Sequence, residues 1–167
     1  MSSLSIRVAA TVVFGGLLAP RAHADAADDR AAGMNIGAVL AWRLGPETVE
    51  ERCRSADPAG VQIRQAALRT WLEKNAALIR SVDERIAEVV PMLSPKEPQD
   101  ELLAMVRSRI RDMILEPLAS AKSPEEVTAL CKSEADPAKP RWHNPGMPMV
   151  AVALAELYDW KVKKTAQ

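Results

Sequence analysis

Thirty consecutive residues, Val61 to Val90, contain neither proline nor glycine. Within that run Leu68, Leu72, Asn75, Ile79, Val82, Ile86 and Val89 recur at alternating spacings of four and three. Such spacing places side chains on one stripe of an α-helix, whereas a strand would scatter them over two faces. The run is therefore read as one long helix with a single apolar seam. Asp57-Pro58 would supply its N-cap and first-turn proline, and the proline-rich connector from Pro91 to Pro98 cannot continue it. About 33 residues of helix span about 50 Å, whereas a compact domain of this size has a radius of gyration of about 14 to 15 Å. Either the fold is elongated or the helix bends, with the bend expected near Lys74 to Ala76. Asn75 is the one polar member of the seam. Two readings stay open for it: a buried amide that fixes helix register, or a half-exposed one where the seam turns from the core.

Residues 1–24 are set aside from this fold reasoning. One arginine, an unbroken run of apolar and small residues from Val8 to Ala19, and Ala22-His23-Ala24 form the three parts of a secretory signal peptide. Cleavage is expected after Ala24, with Ala26 a close alternative. The apolar run, at about 12 residues, is shorter than the roughly 20 that a membrane-spanning helix needs. No cysteine follows the cleavage site to carry a lipid. The mature chain is thus expected in the periplasm or secreted, without stable membrane insertion.

Residues 25–167 suffice for one ordinary domain. Without Arg7 and Arg21 they carry 20 basic and 22 acidic residues, which gives no electrostatic reason to expect nucleic acid as a partner. Cys53 and Cys131 are the two cysteines. In an oxidising compartment such a pair is read as a disulfide, since neither a redox motif nor a metal site has its C-x-x-C spacing here.

The remaining chain reads as further helices. Asp25 to Gly33 is acidic and alanine-rich with no evident buried face, so 25–33 is expected to be a flexible mature N-terminus. Ile36, Val39, Leu40 and Leu44 form the face of a first helix, which Gly45-Pro46 should stop. Pro46 then opens a short helix carrying Cys53. Pro98 to Glu116 is a helix with Leu103, Val106, Ile110, Met113 and Ile114 inward, and Pro117 should kink or end it. Ser123, Pro124 and Glu126 are a helix-start signal with the serine as cap. The final helix presents Val150, Leu154, Leu157 and Tyr158 at helical spacing. No stretch alternates apolar and polar residues. The fold class is all-α: residues 34–167 as a single domain, an elongated helical bundle of three main helices plus short helices, closed by one disulfide.

Chemistry, if present, should sit where helical pattern fails. Residues 135–148 hold four prolines and one glycine, and place Arg141, Trp142, His143 and Asn144 side by side. This is the candidate binding loop, because loops on rigid scaffolds carry a large share of functional groups. The competing reading, which we favour, has Trp142 plugging the bundle end beside a solvated His143. No serine lies in a glycine-flanked elbow, and both cysteines are assigned to the disulfide, so no catalytic residue is named. His143, Met147 and Met149 form a soft-ligand series suited to Cu(I), but no metal ligand set is complete. Asp83-Glu84 and Glu125-Glu126 read as solvated faces or helix-start charges, and Arg107, Arg109 and Arg111 scatter around their helix. No cofactor is implied. The leading reading is an exported, non-catalytic interaction or accessory protein that binds another exported protein. The alternatives are a small enzyme or ligand carrier using the loop 139–147, and a copper-binding carrier.

Overall fold

The computed structural model describes residues 23–134 and 147–166. Among them are five α-helices, one 3-10 turn and no strand: α1 (His23–Ala56), the turn Pro58–Gly60, α2 (Val61–Leu93), α3 (Gln99–Ala119), α4 (Pro124–Glu134) and α5 (Met147–Thr165). The protein is all-α, and Cys53 and Cys131 are joined in a disulfide. Four of the helices are long, however, where three main ones were expected.

The difference lies in α1. Gly45-Pro46 does not stop it, and the two short helices expected on either side are one helix of 34 residues. A proline inside a helix removes one hydrogen bond and clashes with the preceding turn, at a cost of about 3 kcal/mol. Full burial of a Val, Leu or Ile side chain contributes about 1.5–3 kcal/mol. Ile36, Val39, Leu40 and Leu44 are all buried before Pro46, as is Cys53 beyond it. Packing on both flanks thus outweighs the local penalty.

The expectation of a flexible segment without a buried face over 25–33 is likewise corrected. Asp29 and Ala32 are buried. Trp160 of α5 donates its indole N–H to Asp29 Oδ1 at 3.1 Å, and Lys164 Nζ lies 2.9 Å from the same oxygen. The face exists because residues 131 positions away cover it, which no local pattern reveals. Pro91 also lies inside α2, which runs on to Leu93.

Of these helices, α1 packs against each of the other four, and least against α4. Its neighbour α2 returns antiparallel, since Arg43 faces Asp83 while Glu50 meets Arg64. Antiparallel contact also relates α1 to α5, where Asn35 Nδ2 donates to Glu156 Oε2 at 2.7 Å. Helices α2 and α5 therefore run parallel, held by Lys161 Nζ at 3.0 Å from Glu88 and by the Arg85 guanidinium over the Tyr158 ring.

Two apolar clusters line up along α1. The main core joins its first half to Val82, Ile86, Val89 and Val90 of α2, to Leu102, Val106 and Ile110 of α3, and to Val150, Ala153, Leu157 and Trp160 of α5. A satellite core at the other end consists of Cys53, Leu118 and Cys131, with Val49, Ala56, Leu115, Val127 and Leu130 packed around them. Closing a loop of 78 residues, the disulfide has a chain-entropy ceiling of about 4.5 kcal/mol.

Two measurements check this packing. Asp29→Ala leaves the Trp160 N–H and the Lys164 ammonium without their acceptor, so urea unfolding should report a loss of about 1–3 kcal/mol; a change within about 0.5 kcal/mol would leave the start of α1 undocked. The Lys161 hydrogen bond, assisted by the charges of Lys161 and Arg85, holds the Glu88 carboxyl below its ordinary range. A depressed carboxyl stabilises the fold above the unfolded-state pKa, and this is lost as pH falls through the folded value. Native protein should therefore lose stability below about pH 4.5 more steeply than Glu88→Gln; identical pH profiles would remove Glu88 from the account.

Candidate functional site

The sequence between Glu50 and Arg64 folds into a corner that neither the periodicity nor the motifs revealed. Arg64, one turn into α2, is wholly buried, as are Glu50, Asp57 and Gly60 around it. Its Nε donates to Glu50 Oε2 at 3.0 Å and its Nη1 to Asp57 Oδ2 at 2.6 Å. Nη2 donates to the carbonyls of Cys53 and Asp57 at 3.1 and 2.8 Å. Asp57 thus spends its carboxylate on Arg64 and makes no side-chain cap, contrary to the N-cap role expected for it. Gly60 is required by space: a Cβ there would overlap Asp57 Oδ2 and Arg64 Nη1.

This cluster ties the end of α1 to the start of α2. Two carboxylates share one guanidinium, and Arg54 supplies a second, half-solvated cation at 3.6 Å from Glu50 Oε1. That distance is too long for a hydrogen bond, and Oε1 is buried without one. All four elements of the corner, the end of α1, the turn, the start of α2 and the disulfide at Cys53, converge on Arg64. The sequence did carry a signal, a glycine and an arginine set among acidic residues at a helix junction, but only the fold shows that the charges are buried.

The positions singled out by sequence fare differently. Asn75 is buried, with its Nδ2 donating to the Trp71 carbonyl at 2.8 Å, so the half-exposed reading is excluded. Arg141, Trp142, His143 and Asn144 lie outside the described residues. So does His143 as a copper ligand, together with the side chain of Met147; Met149 is exposed at the start of α5.

Partners of the carboxylate pairs are visible for three of their members. Asp83 faces Arg43 at 3.7 Å. Glu125 is exposed, and its own backbone N–H and the Ser123 hydroxyl hold its carboxyl below the ordinary range, opposite to the shift of a general acid. Ser123 caps α4 through the Glu126 N–H at 3.2 Å, and Glu126 reaches back to the Lys122 N–H at 2.7 Å.

Among the described residues no group of three or more His, Cys, Asp or Glu could hold a metal ion. A shallow depression of about 210 Å³ between Arg109, Asp112, Met113 and Glu116 falls below the roughly 300 Å³ of a ligand site. No described helix is long and apolar enough to cross a membrane.

What the described surface does offer is the outer side of α5. Its buried side carries Val150, Ala153, Leu157 and Trp160. Tyr158, expected inside, is half exposed, and Met149, Val152 and Val162 are exposed with it. Ala151 and Ala155 are exposed too. Ala151, Ala155, Tyr158 and Val162 follow a four-three-four spacing, which puts them on one exposed stripe beside a polar side that carries Glu156, Asp159 and Lys163. Lone apolar residues on a surface are ordinary, but a contiguous stripe of them is a feature of contact surfaces. In comparisons with known proteins, no family model, curated sequence or solved structure matches the chain.

The corner makes a testable demand. Arg64→Met should cost about 3–5 kcal/mol, because two buried carboxylates lose their shared counter-charge. Gly60→Ala should cost about 1–3 kcal/mol through overpacking, and the exposed control Arg80→Ala under about 0.5 kcal/mol. Chemical denaturation ranks the three; an Arg64→Met protein as stable as the control would contradict the assignment.

Proposed function

We propose that this is an exported accessory protein, without catalysis of its own, that binds another exported protein through the outer face of α5. The supporting observation is that stripe: Ala151, Ala155, Tyr158 and Val162 are exposed at helical spacing on a helix whose other apolar side is already committed to the core. A helix of this kind fits the groove-binding mode of recognition, in which residues at helical spacing serve as anchors. The Arg85 guanidinium, 4.9 Å from the Tyr158 ring centroid, holds that ring in place before any partner arrives. Export is supported by the three-part N-terminus ending at Ala24, and a disulfide is consistent with an oxidising compartment.

The proposal is tested in cells with a photo-crosslinking amino acid at Ala155 or Val162, and at the exposed Ala104 of α3 as control. One discrete adduct with a different exported protein is expected from the two α5 positions and none from Ala104, and Tyr158→Glu should abolish it. Adducts shared by all three positions, or only self-adducts, would contradict the reading. Intact-mass analysis of the exported protein should show a chain beginning at Asp25 or Ala27; a full-length mass would remove the export half.

A further inference from the structure

We propose that the Cys53–Cys131 bond is a thiol-sensitive lock on α4, whose reduction undocks α4 and leaves the main core intact. The inference does not rest on the α5 reading. It rests on how the apolar interior is divided. The main core draws its buried residues from α1, α2, α3 and α5, and contains neither cysteine nor any residue of α4. The satellite core has three buried members, and two of them are the bonded cysteines.

Among the described residues, α4 contributes to the smaller core alone. It has 11 residues, below the roughly 12–15 at which an isolated helix becomes marginally stable. Cys131 is its one buried residue, while Val127 and Leu130 are half-buried. One hydroxyl, Thr128 Oγ1, ties it to the Ala56 carbonyl at 2.9 Å, and that hydroxyl is shared with Pro124 of its own first turn. The covalent bond is therefore the link between α4 and α1 that a reductant can remove. Arg64, whose Nη2 holds the Cys53 carbonyl, keeps the α1 side of the bond fixed when the other side moves.

The chemistry is thiol–disulfide exchange with a dithiol reductant. One thiolate of the reductant attacks a sulfur of the bond, forms a mixed disulfide and releases the other cysteine as a thiolate, which takes up a proton. The second thiol of the reductant then breaks the mixed disulfide, so two electrons pass to the protein and the reductant leaves as its own disulfide. Both cysteines are fully shielded from solvent, so attack occurs during a local opening of α4. Once reduced, α4 has lost that link, and Val49, Leu115 and Leu118 beneath it become an accessible apolar surface.

Hydrogen–deuterium exchange tests the lock on the oxidised protein and on the same protein after dithiothreitol, with thiol alkylation and mass analysis recording whether the bond has opened. Amides of 127–134 should exchange on the order of tenfold faster or more after reduction, while those of 36–44 and 82–90 keep their oxidised rates. The double variant Cys53→Ser, Cys131→Ser should match the reduced protein. Unchanged exchange in α4 would overturn the proposal, as would acceleration of all three segments together, which would make the bond a staple of the whole fold. A bond that resists dithiothreitol under native conditions would also overturn it. Should the variant fail to fold, the dithiothreitol comparison still decides, because it begins from folded protein.

Discussion

The continuity of α1 through Pro46 is the constraint on which the rest depends. Its first half supplies one wall of the main core, and its second half supplies Cys53 to the satellite core and Glu50 to the buried charge cluster. Were the chain to turn at Gly45-Pro46, those two halves could not lie on one axis, and α2 could not return along both. The local cost of the proline is set against burial on either side of it, and burial is the larger quantity. A weak point in the backbone is thereby made the place where the two cores meet.

The two ends of the molecule solve different problems. At the main core, four helices bury aliphatic side chains against one another, and polar ties such as Asp29 with Trp160 and Lys164 close the rim. At the opposite end there is little aliphatic surface, and the fold relies on directed interactions instead. A guanidinium that satisfies two carboxylates and two carbonyls fixes the angle between α1 and α2, while a disulfide fixes α4. Such interactions are strong in place and costly to break, because each leaves a buried group uncompensated. That contrast underlies the division into a robust body and a conditional arm.

How much of this was legible depended on whether the information was local. The seam from Ile79 to Val89 and the cap at Ser123 follow from spacing and residue type, and both stand in the structure. The disulfide followed from counting. Pro46 misled because its propensity is local and the burial that overrides it is not. Asp29 and Ala32 looked solvated because their covering residues lie in the last helix. Arg64 carries no local sign of burial, since nothing in a linear pattern says that Glu50 and Asp57 will be folded onto it. Tyr158 shares helical spacing with Val150, Leu154 and Leu157 yet is half exposed, while Trp160, off that spacing, is buried.

The functional reading inherits this arrangement: α1 and the main core take up one side of α5, and the proposed partner takes another. A direct test of the central claim is the distance between spin labels carried by unnatural amino acids at the exposed positions Ala31 and Glu51. These flank Pro46 and are separated by 20 residues, so one continuous helix predicts about 30 Å between their backbones in a single narrow distribution. A distribution centred below about 20 Å would mean that the chain turns at Gly45-Pro46 after all, and the shared axis of the two cores would be wrong.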